Sequence, residues 1–303
     1  MNVVASERLE AEVRIPSPLE RLADDWLEDL GIQVWLKRDD LIHPDLPGNK
    51  WRKLKYNLTA AAGQGQRTLL TFGGAYSNHL RATAAAGRYC GFATIGIIRG
   101  EEHIPLNPSL AYAVQQGMRL SYLDRQTYRR KTDLAVMDSL RREFGQFYLL
   151  PEGGSNELAV RGCSELPAEI KVDFDVICCP CGTGATLAGI AAGLESGRRA
   201  VGLSALKGAE FLESAVADLQ VRAFGHRTDN WHIEHGFHCG GFAKENSELE
   251  SFIAGFRRRN GLNIDRIYVA KMLHGIYSLA QAQAFKRGSR IVAVITGPQG
   301  PDW

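Results

Sequence analysis

The sequence predicts an α/β fold built on mostly parallel sheets. Short β-branched runs alternate with segments of helical periodicity along the chain, which is typical of parallel strands joined by helices. The strand candidates are apolar on both faces, as in Val176-Ile177-Cys178, so helices are expected to cover both sides of the sheet. At 303 residues, the chain has the length of two domains or one large one.

The individual elements follow from these patterns in chain order. The predicted strands are Gln33–Lys37, Thr68–Phe72, Ala93–Ile98, Asp175–Cys179, Ala200–Leu203, Arg266–Val269 and Arg290–Thr296. The predicted helices are Lys50–Ala62, Asn78–Tyr89, Thr127–Phe144, Ala185–Leu194, Ser247–Arg259 and Lys271–Phe285. Because ligands of open α/β sheets bind where strand ends lead into helix starts, the loops at these junctions are the places to search for a site.

Composition and charge exclude several classes of function. The 36 Lys and Arg residues nearly balance 34 Asp and Glu residues, so the chain lacks the basic surface of a nucleic-acid-binding protein. The N-terminal residues show no signal peptide, and no apolar run approaches the roughly 20 residues that span a bilayer. Six cysteines are too few for a disulfide scaffold and fit a reducing compartment. We expect a cytoplasmic protein that binds neither nucleic acid nor a membrane.

A glycine-rich loop follows the strand candidate Asp175–Cys179 and opens a helix. It consists of Gly182, Thr183, Gly184, Ala185 and Thr186. Unpaired amides and the dipole at a helix start favour an anion such as phosphate. Leu187 stands where a dinucleotide-binding loop has its third glycine, so a single phosphate suits this loop better than a pyrophosphate. A turn without a ligand is the alternative.

Lys50 follows the turn Pro47-Gly48, with Asn49 as a competent N-cap of the next helix. A cation in the first helical turn opposes the helix dipole, which lowers the pKa of the amine. Schiff-base chemistry requires such a lysine, because only the neutral amine attacks a carbonyl. Lys53 lies three residues further on the same face. The alternative is that these lysines only solubilise the surface.

A third loop places Ser77, Asn78 and His79 at a helix start, directly after a strand and two glycines. These side chains and the free amides of a first helical turn can hold a carboxylate and a phenolic oxygen. An ordinary Ser or Asn cap is the alternative.

Taken together, these residues resemble the pyridoxal-phosphate enzyme family that contains 1-aminocyclopropane-1-carboxylate deaminase and D-cysteine desulfhydrase, within the tryptophan-synthase-β-like fold (fold type II). The similarity runs from about residue 15 to residue 296. The motifs that carry it are Lys37-Arg38-Asp39-Asp40, Gly48-Asn49-Lys50-Trp51-Arg52-Lys53-Leu54, Ser77-Asn78-His79 and Gly182-Thr183-Gly184.

The three loops require the cofactor, pyridoxal 5'-phosphate, to lie in a cleft between two α/β layers. We therefore expect a smaller domain at residues 51–152 and a larger cofactor-binding domain at residues 1–50 and 153–303. The resemblance further implies a homodimer.

The resemblance assigns a role to each loop. Lys50 would carry the cofactor as a Schiff base and later move the substrate's α-proton, while Lys53 and the 182–186 loop would hold the phosphate. Asn78 would contact the cofactor's ring hydroxyl, and Ser77, Asn78 and His79 would bind the substrate carboxylate. His79 matches the desulfhydrase pattern better than the deaminase pattern, which tends to carry glutamine there.

Two positions depart from the family pattern. Tyr268 matches a functional tyrosine of the family, so the predicted catalytic residues are Lys50, Ser77 and Tyr268. The next residue, Val269, replaces the glutamate that faces the pyridine nitrogen in deaminases. Thr296 is the candidate partner of the pyridine nitrogen in place of that glutamate. A neutral hydroxyl leaves the nitrogen largely unprotonated, which makes the cofactor ring a weaker electron sink. Phe242 stands where the family has another tyrosine.

We therefore expect a lyase or deaminase that converts a small, D-cysteine-like amino acid to a keto acid and ammonia by β-elimination. Phe242, His238 and Tyr268 are expected to shape its substrate pocket. Strict 1-aminocyclopropane-1-carboxylate deaminase activity is disfavoured, because ring opening in the family relies on two tyrosine hydroxyls and Phe242 lacks one of them. A β-replacement enzyme, a racemase and a catalytically silent ligand-binding relative are the alternatives.

Three neighbouring histidines, His232, His235 and His238, raise the possibility of a metal site. Their spacing places them neither on one face of a strand nor at a common point of one helix. We therefore expect no metal here, because only a converging loop could assemble these ligands.

Overall fold

A computed structural model describes residues 12–297 of the chain. Its strands form two separate sheets. The strands are β1 (Leu19–Leu22), β2 (Gln33–Lys37), β3 (Thr68–Gly73), β4 (Ala93–Arg99), β5 (Met118–Leu123), β6 (Tyr148–Leu150), β7 (Val176–Cys181), β8 (Arg199–Ser204), β9 (Trp231–Glu234) and β10 (Arg290–Val294).

Both sheets are dominated by parallel pairing. The six-stranded sheet has the order β1-β2-β10-β7-β8-β9, and only β1 runs antiparallel to its neighbour. The four-stranded sheet has the order β5-β4-β3-β6 and is parallel throughout. Its strands all lie between residues 68 and 150, whereas the larger sheet draws strands from both sides of that segment. The predicted fold class, parallel sheets flanked by helices, is confirmed.

Helices cover the faces of both sheets. They are α1 (Asp25–Asp29), α2 (Asn49–Gly63), α3 (Asn78–Cys90), α4 (Pro108–Gln115), α5 (Arg125–Arg129), α6 (Leu134–Phe144), α7 (Glu157–Cys163), α8 (Ala185–Gly193), α9 (Phe211–Phe224), α10 (Ser247–Asn260) and α11 (Val269–Gln281). Within residues 12–297, none of them has both the length and the apolar character needed to cross a membrane.

The central strands of the larger sheet are buried on both faces, which explains their continuous apolar sequences. Along β7, Val176 and Cys178 point into the core that contains α10 and α11. Ile177 and Cys179 point into the opposite core, which contains α7, α8 and α9. Successive strand residues point to opposite faces of the sheet. Because helices cover both faces of β7, apolar residues are expected at every position of the strand.

Glycines let α7 approach two other helices at backbone distance. A Cβ on Gly162 of α7 would lie 1.9 Å from the carbonyl oxygen of Arg52 in α2, and one on Gly189 of α8 would lie 2.4 Å from that of Val160. Any side chain at either glycine would push the helices apart. The helix that carries Lys50 is thereby fixed, through α7, relative to α8, the helix that the glycine-rich loop opens.

The predicted strand Arg266–Val269 is wrong. The carboxylate of Asp265 accepts the backbone N–H groups of Ile267, Tyr268 and Val269 at 2.7–3.0 Å, and these bonds turn the chain into α11. The apolar run has the composition of a strand, but local side-chain acceptors satisfy the amides that a strand would need for pairing.

The predicted helix Thr127–Phe144 is also wrong as a single element, because the chain breaks it into α5 and α6. Asp124 caps α5 by accepting the amides of Gln126 and Thr127, and α6 starts only at Leu134. The remaining predicted strands and helices are present with shifts of a few residues at their ends. Four strands and several helices were not predicted: β1, β5, β6, β9, α1, α4, α7 and α9.

Candidate active site

The loop before Lys50 depends on a glycine. Gly48 has φ of +66°, and a Cβ there would lie 1.7 Å from the carbonyl oxygen of Thr296. A side chain at this position would therefore be strained and would collide with backbone. Gly48 brings the start of α2 against the chain that leaves β10, and so places the residues just before Lys50 against Thr296, the predicted partner of the pyridine nitrogen.

Buried ion pairs anchor α2 to the segment after β2. The Arg52 guanidinium donates to both carboxylate oxygens of Asp39 at 2.8 Å and to Glu169 at 2.6 Å, and Lys37 donates to Glu169 at 2.6 Å. Paired Arg–carboxylate bonds fix orientation as well as distance. The motifs around Lys37 and Arg52 therefore hold the lysine helix in place.

Lys50 lies in the first turn of α2, and its amine donates to the side-chain oxygen of Asn49 at 2.6 Å. Burial lowers the pKa of Lys50 to about 7, and the nearby Lys53 ammonium adds to this shift. The lowered pKa thus has a different main cause from the helix dipole expected from the sequence. A substantial fraction of the amine is neutral near pH 7, as nucleophilic attack on an aldehyde requires.

Lys53 is buried, and its amine donates to the carbonyl oxygen of Gly153, in the turn that follows β6, at 3.2 Å. Burial lowers its pKa. The nearby Cys163, Cys179 and Cys181 are protonated near neutral pH, because burial raises the pKa of each thiol. Within residues 12–297, Lys53 forms no ion pair with a carboxylate, so a bound phosphate would supply its missing counter-charge.

The glycine-rich loop leaves β7 and opens α8 without a side-chain cap. Gly184 is the N-cap with φ of +83°, and a Cβ there would lie 2.8 Å from a methyl carbon of Val216. The first amides of α8 have no intrahelical acceptors and are available to an anion. Thr183 and Thr186 add hydroxyls to this helix start, as the sequence predicted.

Ser77 is the N-cap of α3, and its hydroxyl accepts the amide of Leu80 at 3.4 Å. Asn78 is the first residue of the helix and is partly buried. The two residues therefore stand at a helix start directly after β3, where the sequence predicted a carboxylate site. The capping role considered as the alternative applies to Ser77, and it leaves the other first-turn amides free.

His79 lies beneath this turn, with 2% of its surface exposed. Its Nε2 is 2.8 Å from the hydroxyl of Thr71, which itself donates to the carbonyl of Leu150 at 2.9 Å. Because that hydroxyl has a single hydrogen, His79 must donate from Nε2 and keep Nδ1 as an acceptor. Within the described residues Nδ1 has no hydrogen-bond partner, and a Cβ on Gly154 would lie 2.9 Å from the ring.

Burial and the charges of Lys50 and Lys53 hold the pKa of His79 well below its usual range. The imidazole is therefore neutral and packs against Gly154, near the two lysine amines. The sequence predicted that His79 binds the substrate carboxylate, and this stays a prediction; in the structure its ring lies beneath the turn, hydrogen-bonded to Thr71.

Tyr268 approaches the glycine-rich loop from α11. A Cβ on Gly182 would lie 3.1 Å from the Tyr268 ring. Burial raises the pKa of Tyr268, so the phenol keeps its proton. Phe242, which is 43% exposed, packs against Tyr268 with ring centroids 5.9 Å apart. The structure therefore brings Tyr268 and Phe242 together, and it places Tyr268 beside the glycine-rich loop.

Asp265 is a site residue that the sequence analysis missed. Besides accepting the three amides of the turn that leads into α11, it lies close enough to Lys50 that the lysine charge favours its ionised form, although burial raises its pKa. A Cβ on Gly297 would lie 2.7 Å from its Oδ2. An aspartate a few residues before a helical apolar pattern is a turn signal that could have identified it, because its carboxylate accepts nearby backbone amides.

The histidines near residue 235 have separate partners. His232 lies 3.3 Å from a carboxylate oxygen of Glu234, and His235 lies 2.6 Å from one of Glu213. His238 accepts a backbone N–H of its own loop. In the part of the chain described, no group of three or more His, Cys, Asp or Glu side chains is arranged to hold a metal ion.

These features fit pyridoxal phosphate. Two lysines, the partly buried Lys50 and the buried Lys53, have lowered pKa values and stand beside an uncapped helix start, and the neighbouring glycines leave room where Cβ atoms would collide. A parallel α/β fold with this site defines a fold type II pyridoxal-phosphate enzyme. The chain belongs to the family described as "Pyridoxal-phosphate dependent enzyme", whose sequence profile matches residues 12–297, and its cofactor is pyridoxal phosphate.

Similar proteins of known sequence and structure support the resemblance stated above. The chain is 27% identical over 330 residues to D-cysteine desulfhydrase of Klebsiella pneumoniae (strain 342), covering 98% of this chain and 95% of the relative. It is 28% identical over 309 residues to the mitochondrial bifunctional D-cysteine desulfhydrase/1-aminocyclopropane-1-carboxylate deaminase of Arabidopsis thaliana, covering 93% and 76%. A solved structure of an ACC deaminase homologue superposes with a TM-score of 0.83 at 26% identity, covering 98% and 95%.

Proposed function

We propose that the protein is a pyridoxal-phosphate-dependent lyase that removes the β-substituent of a small D-amino acid such as D-cysteine, giving sulfide, pyruvate and ammonia. The observation that carries this proposal is the partly neutral Lys50 amine, with a pKa of about 7, beside a phosphate-binding helix start. The two relatives named D-cysteine desulfhydrase support the substrate class.

When bound, the cofactor supplies an electron sink for the bond that breaks at the substrate's α-carbon. Lys53 and the amides of the 182–186 loop would hold its phosphate, and Thr296 would face its ring nitrogen. Asn78 would contact its ring hydroxyl. Val269 offers no carboxylate to that nitrogen, which favours loss of a good leaving group such as sulfide over opening of an unactivated ring.

The protein's own groups then provide binding and proton transfer. The helix start at Ser77 and Asn78 would bind the substrate carboxylate. Lys50 Nζ, once free, would take the α-proton as a general base whose pKa matches neutral conditions. Tyr268 keeps its proton near neutral pH and can donate it to the departing β-substituent, while Phe242 and His238 would line the pocket.

We further propose the division into a smaller domain at residues 51–152 and a larger one at residues 1–50 and 153–303, with the cofactor in the cleft between them. The separate four-stranded sheet at residues 68–150 supports this division. A homodimer in the cytoplasm is the proposed state of the protein. The cysteines, all free and buried, agree with a reducing compartment.

The test combines a cofactor spectrum with a substrate panel. The purified protein with pyridoxal phosphate should show the visible absorbance of lysine-bound cofactor, which Lys50→Ala abolishes and Lys53→Ala only weakens. D- and L-amino acids are then assayed for ammonia, keto acid and sulfide. Absence of the absorbance overturns the proposal. A new amino acid indicates β-replacement, inverted substrate indicates a racemase, and cofactor binding without turnover indicates a silent binding protein.

A further inference from the structure

Residues 239–245, the strap, form an unusual loop beside the site. Cys239, Gly240, Gly241 and Ala243 all have positive φ, at 49°, 97°, 117° and 52°. Two of these residues are not glycine, and side chains rarely adopt such backbone angles. A strained conformation of this kind persists only where its surroundings hold it. Phe242 lies in the middle of the strap, so whatever holds the strap also sets this ring.

Lys271 supplies a buried attachment for the strap. It lies in the first turn of α11, is 1% exposed, and donates from its amine to the carbonyl oxygen of Gly241 at 2.6 Å. This is the one hydrogen bond that its amine forms within residues 12–297. A buried ammonium carries a large desolvation cost that an apolar side chain of similar size would avoid. A lysine at this buried position therefore indicates that its hydrogen bond to Gly241 contributes to holding the strap in place.

A second attachment lies at the surface. Arg266 donates from its Nε to both oxygens of Glu245 at 2.8 and 2.9 Å. Both side chains are substantially exposed, so water screens this pair and its contribution is small. Arg266 and Lys271 flank Tyr268 in the sequence, and their partners flank Phe242. The two attachments therefore bring the Phe242 ring onto Tyr268.

We propose that Lys271 is a positioning residue that, through the Gly241 carbonyl, holds Phe242 against Tyr268, so that the Phe242 ring forms an apolar wall facing the substrate's β-substituent. This inference rests on the proposed function and narrows its substrate class. An apolar wall favours a thiol, which is soft and weakly hydrated, over a hydroxyl or a carboxylate, which would lose hydrogen bonds to water there. The protein should therefore process D-cysteine in preference to D-serine or D-aspartate.

The first experiment measures how firmly the strap is held, without using turnover. Trypsin cleavage after the exposed Lys244 is followed by mass spectrometry in the full-length holoenzyme. Lys271→Met, which keeps length but loses the donor, should raise the cleavage rate about tenfold by freeing the strap. Arg266→Gln, which removes only the screened pair, should change it less than about threefold. Lys286→Met, at an exposed position, is the matched control and should behave as the wild type.

The second experiment measures selectivity in the same variants. Lys271→Met should raise KM for D-cysteine about tenfold with a smaller change in kcat, because the wall contributes mainly to binding. The preference for D-cysteine over D-serine should fall, and Lys271→Gln, which keeps a donor, should restore part of it. If Lys271→Met does not fold, Phe242→Ala should give the same loss of preference.

Cleavage after Lys244 and selectivity that both match the wild type in Lys271→Met would overturn the inference. A protein that binds the cofactor but turns over no amino acid would refute the proposed function, whereas the tryptic experiment would still decide whether Lys271 holds the strap.

Discussion

The side-chain amide of Asn49 donates to the hydroxyl of Thr186 across 2.8 Å, in the buried space between two helix starts. Asn49 also accepts from Lys50, so one side chain joins the proposed Schiff-base lysine to the proposed phosphate-binding loop. The two loops that the sequence suggested separately are therefore a single hydrogen-bonded unit.

Substitutions that break the hydrogen bond between Asn49 and Thr186 should lower the free energy of unfolding, and their effects should not add. Asn49→Ala and Thr186→Ala should each destabilise the cofactor-free protein by about 1–2 kcal/mol, because a buried polar group loses its partner. The double variant should be less unstable than the sum by about 1 kcal/mol. Urea unfolding of the four proteins tests this expectation. Strict additivity would mean that the bond contributes nothing.

The pKa of Lys50 should be visible in the pH dependence of covalent capture. Reductive trapping of pyridoxal, which lacks the phosphate and so does not depend on phosphate binding, should accelerate as pH rises through about 7 and level off above it, because only the neutral amine reacts. Lys53→Met removes a neighbouring positive charge, which raises the pKa of Lys50 and moves the profile to higher pH. A profile still rising at pH 10 in the wild type would contradict the burial of Lys50.

Asp265 should separate a capping effect from a charge effect. Asp265→Ala removes the acceptor of three amides at the start of α11 and should cost about 2 kcal/mol of unfolding free energy. Asp265→Asn keeps a capping oxygen and should cost less than about 1 kcal/mol. Loss of the carboxylate charge in either variant should lower the pKa of Lys50 further, measurable by the same trapping profile. Equal destabilisation by both substitutions would show that the cap is not the main contribution.

The two glycines at opposite ends of α2, the N-cap Gly48 and the last residue Gly63, should respond oppositely to substitution by alanine. Gly48→Ala places a Cβ 1.7 Å from the Thr296 carbonyl at positive φ and should destabilise the protein by more than about 3 kcal/mol or prevent folding. Gly63→Ala, where nothing lies within 4 Å, should raise stability by about 0.5–1 kcal/mol through helix propensity. Thermal unfolding of both variants makes the comparison, and a neutral Gly48→Ala would refute the close approach of these two segments.

The sequence predicted the central strands well and the edge strands poorly. β1, β5, β6 and β9 each lie at an edge of a sheet, where one side is open and partly exposed residues interrupt the apolar run. Central strands such as β7 are buried at every position, so their composition alone identified them. An edge strand forms because it pairs with a strand that is distant in the sequence, so its own residues give little indication of it.

The same distinction separates the parts of the site. Lys50, Ser77 and Gly184 stand at helix starts, which local sequence indicates. The contact between Lys271 and Gly241 joins residues 30 positions apart, and no local pattern reports it. His79 was predicted from a motif, but its support of the turn depends on Thr71, which only the folded chain places beside it.

The helix α2 is shared by both sheets, and this has a mechanical consequence for Lys50. On one side Trp51, Leu54 and Leu58 pack into the core of the four-stranded sheet. On the other side its backbone touches Gly162 of α7, which packs against the larger sheet. A rotation of one sheet relative to the other about α2 would place Lys50 close to the rotation axis. We therefore expect Lys50 to be displaced less by such a rotation than the turn at Ser77, which lies outside α2.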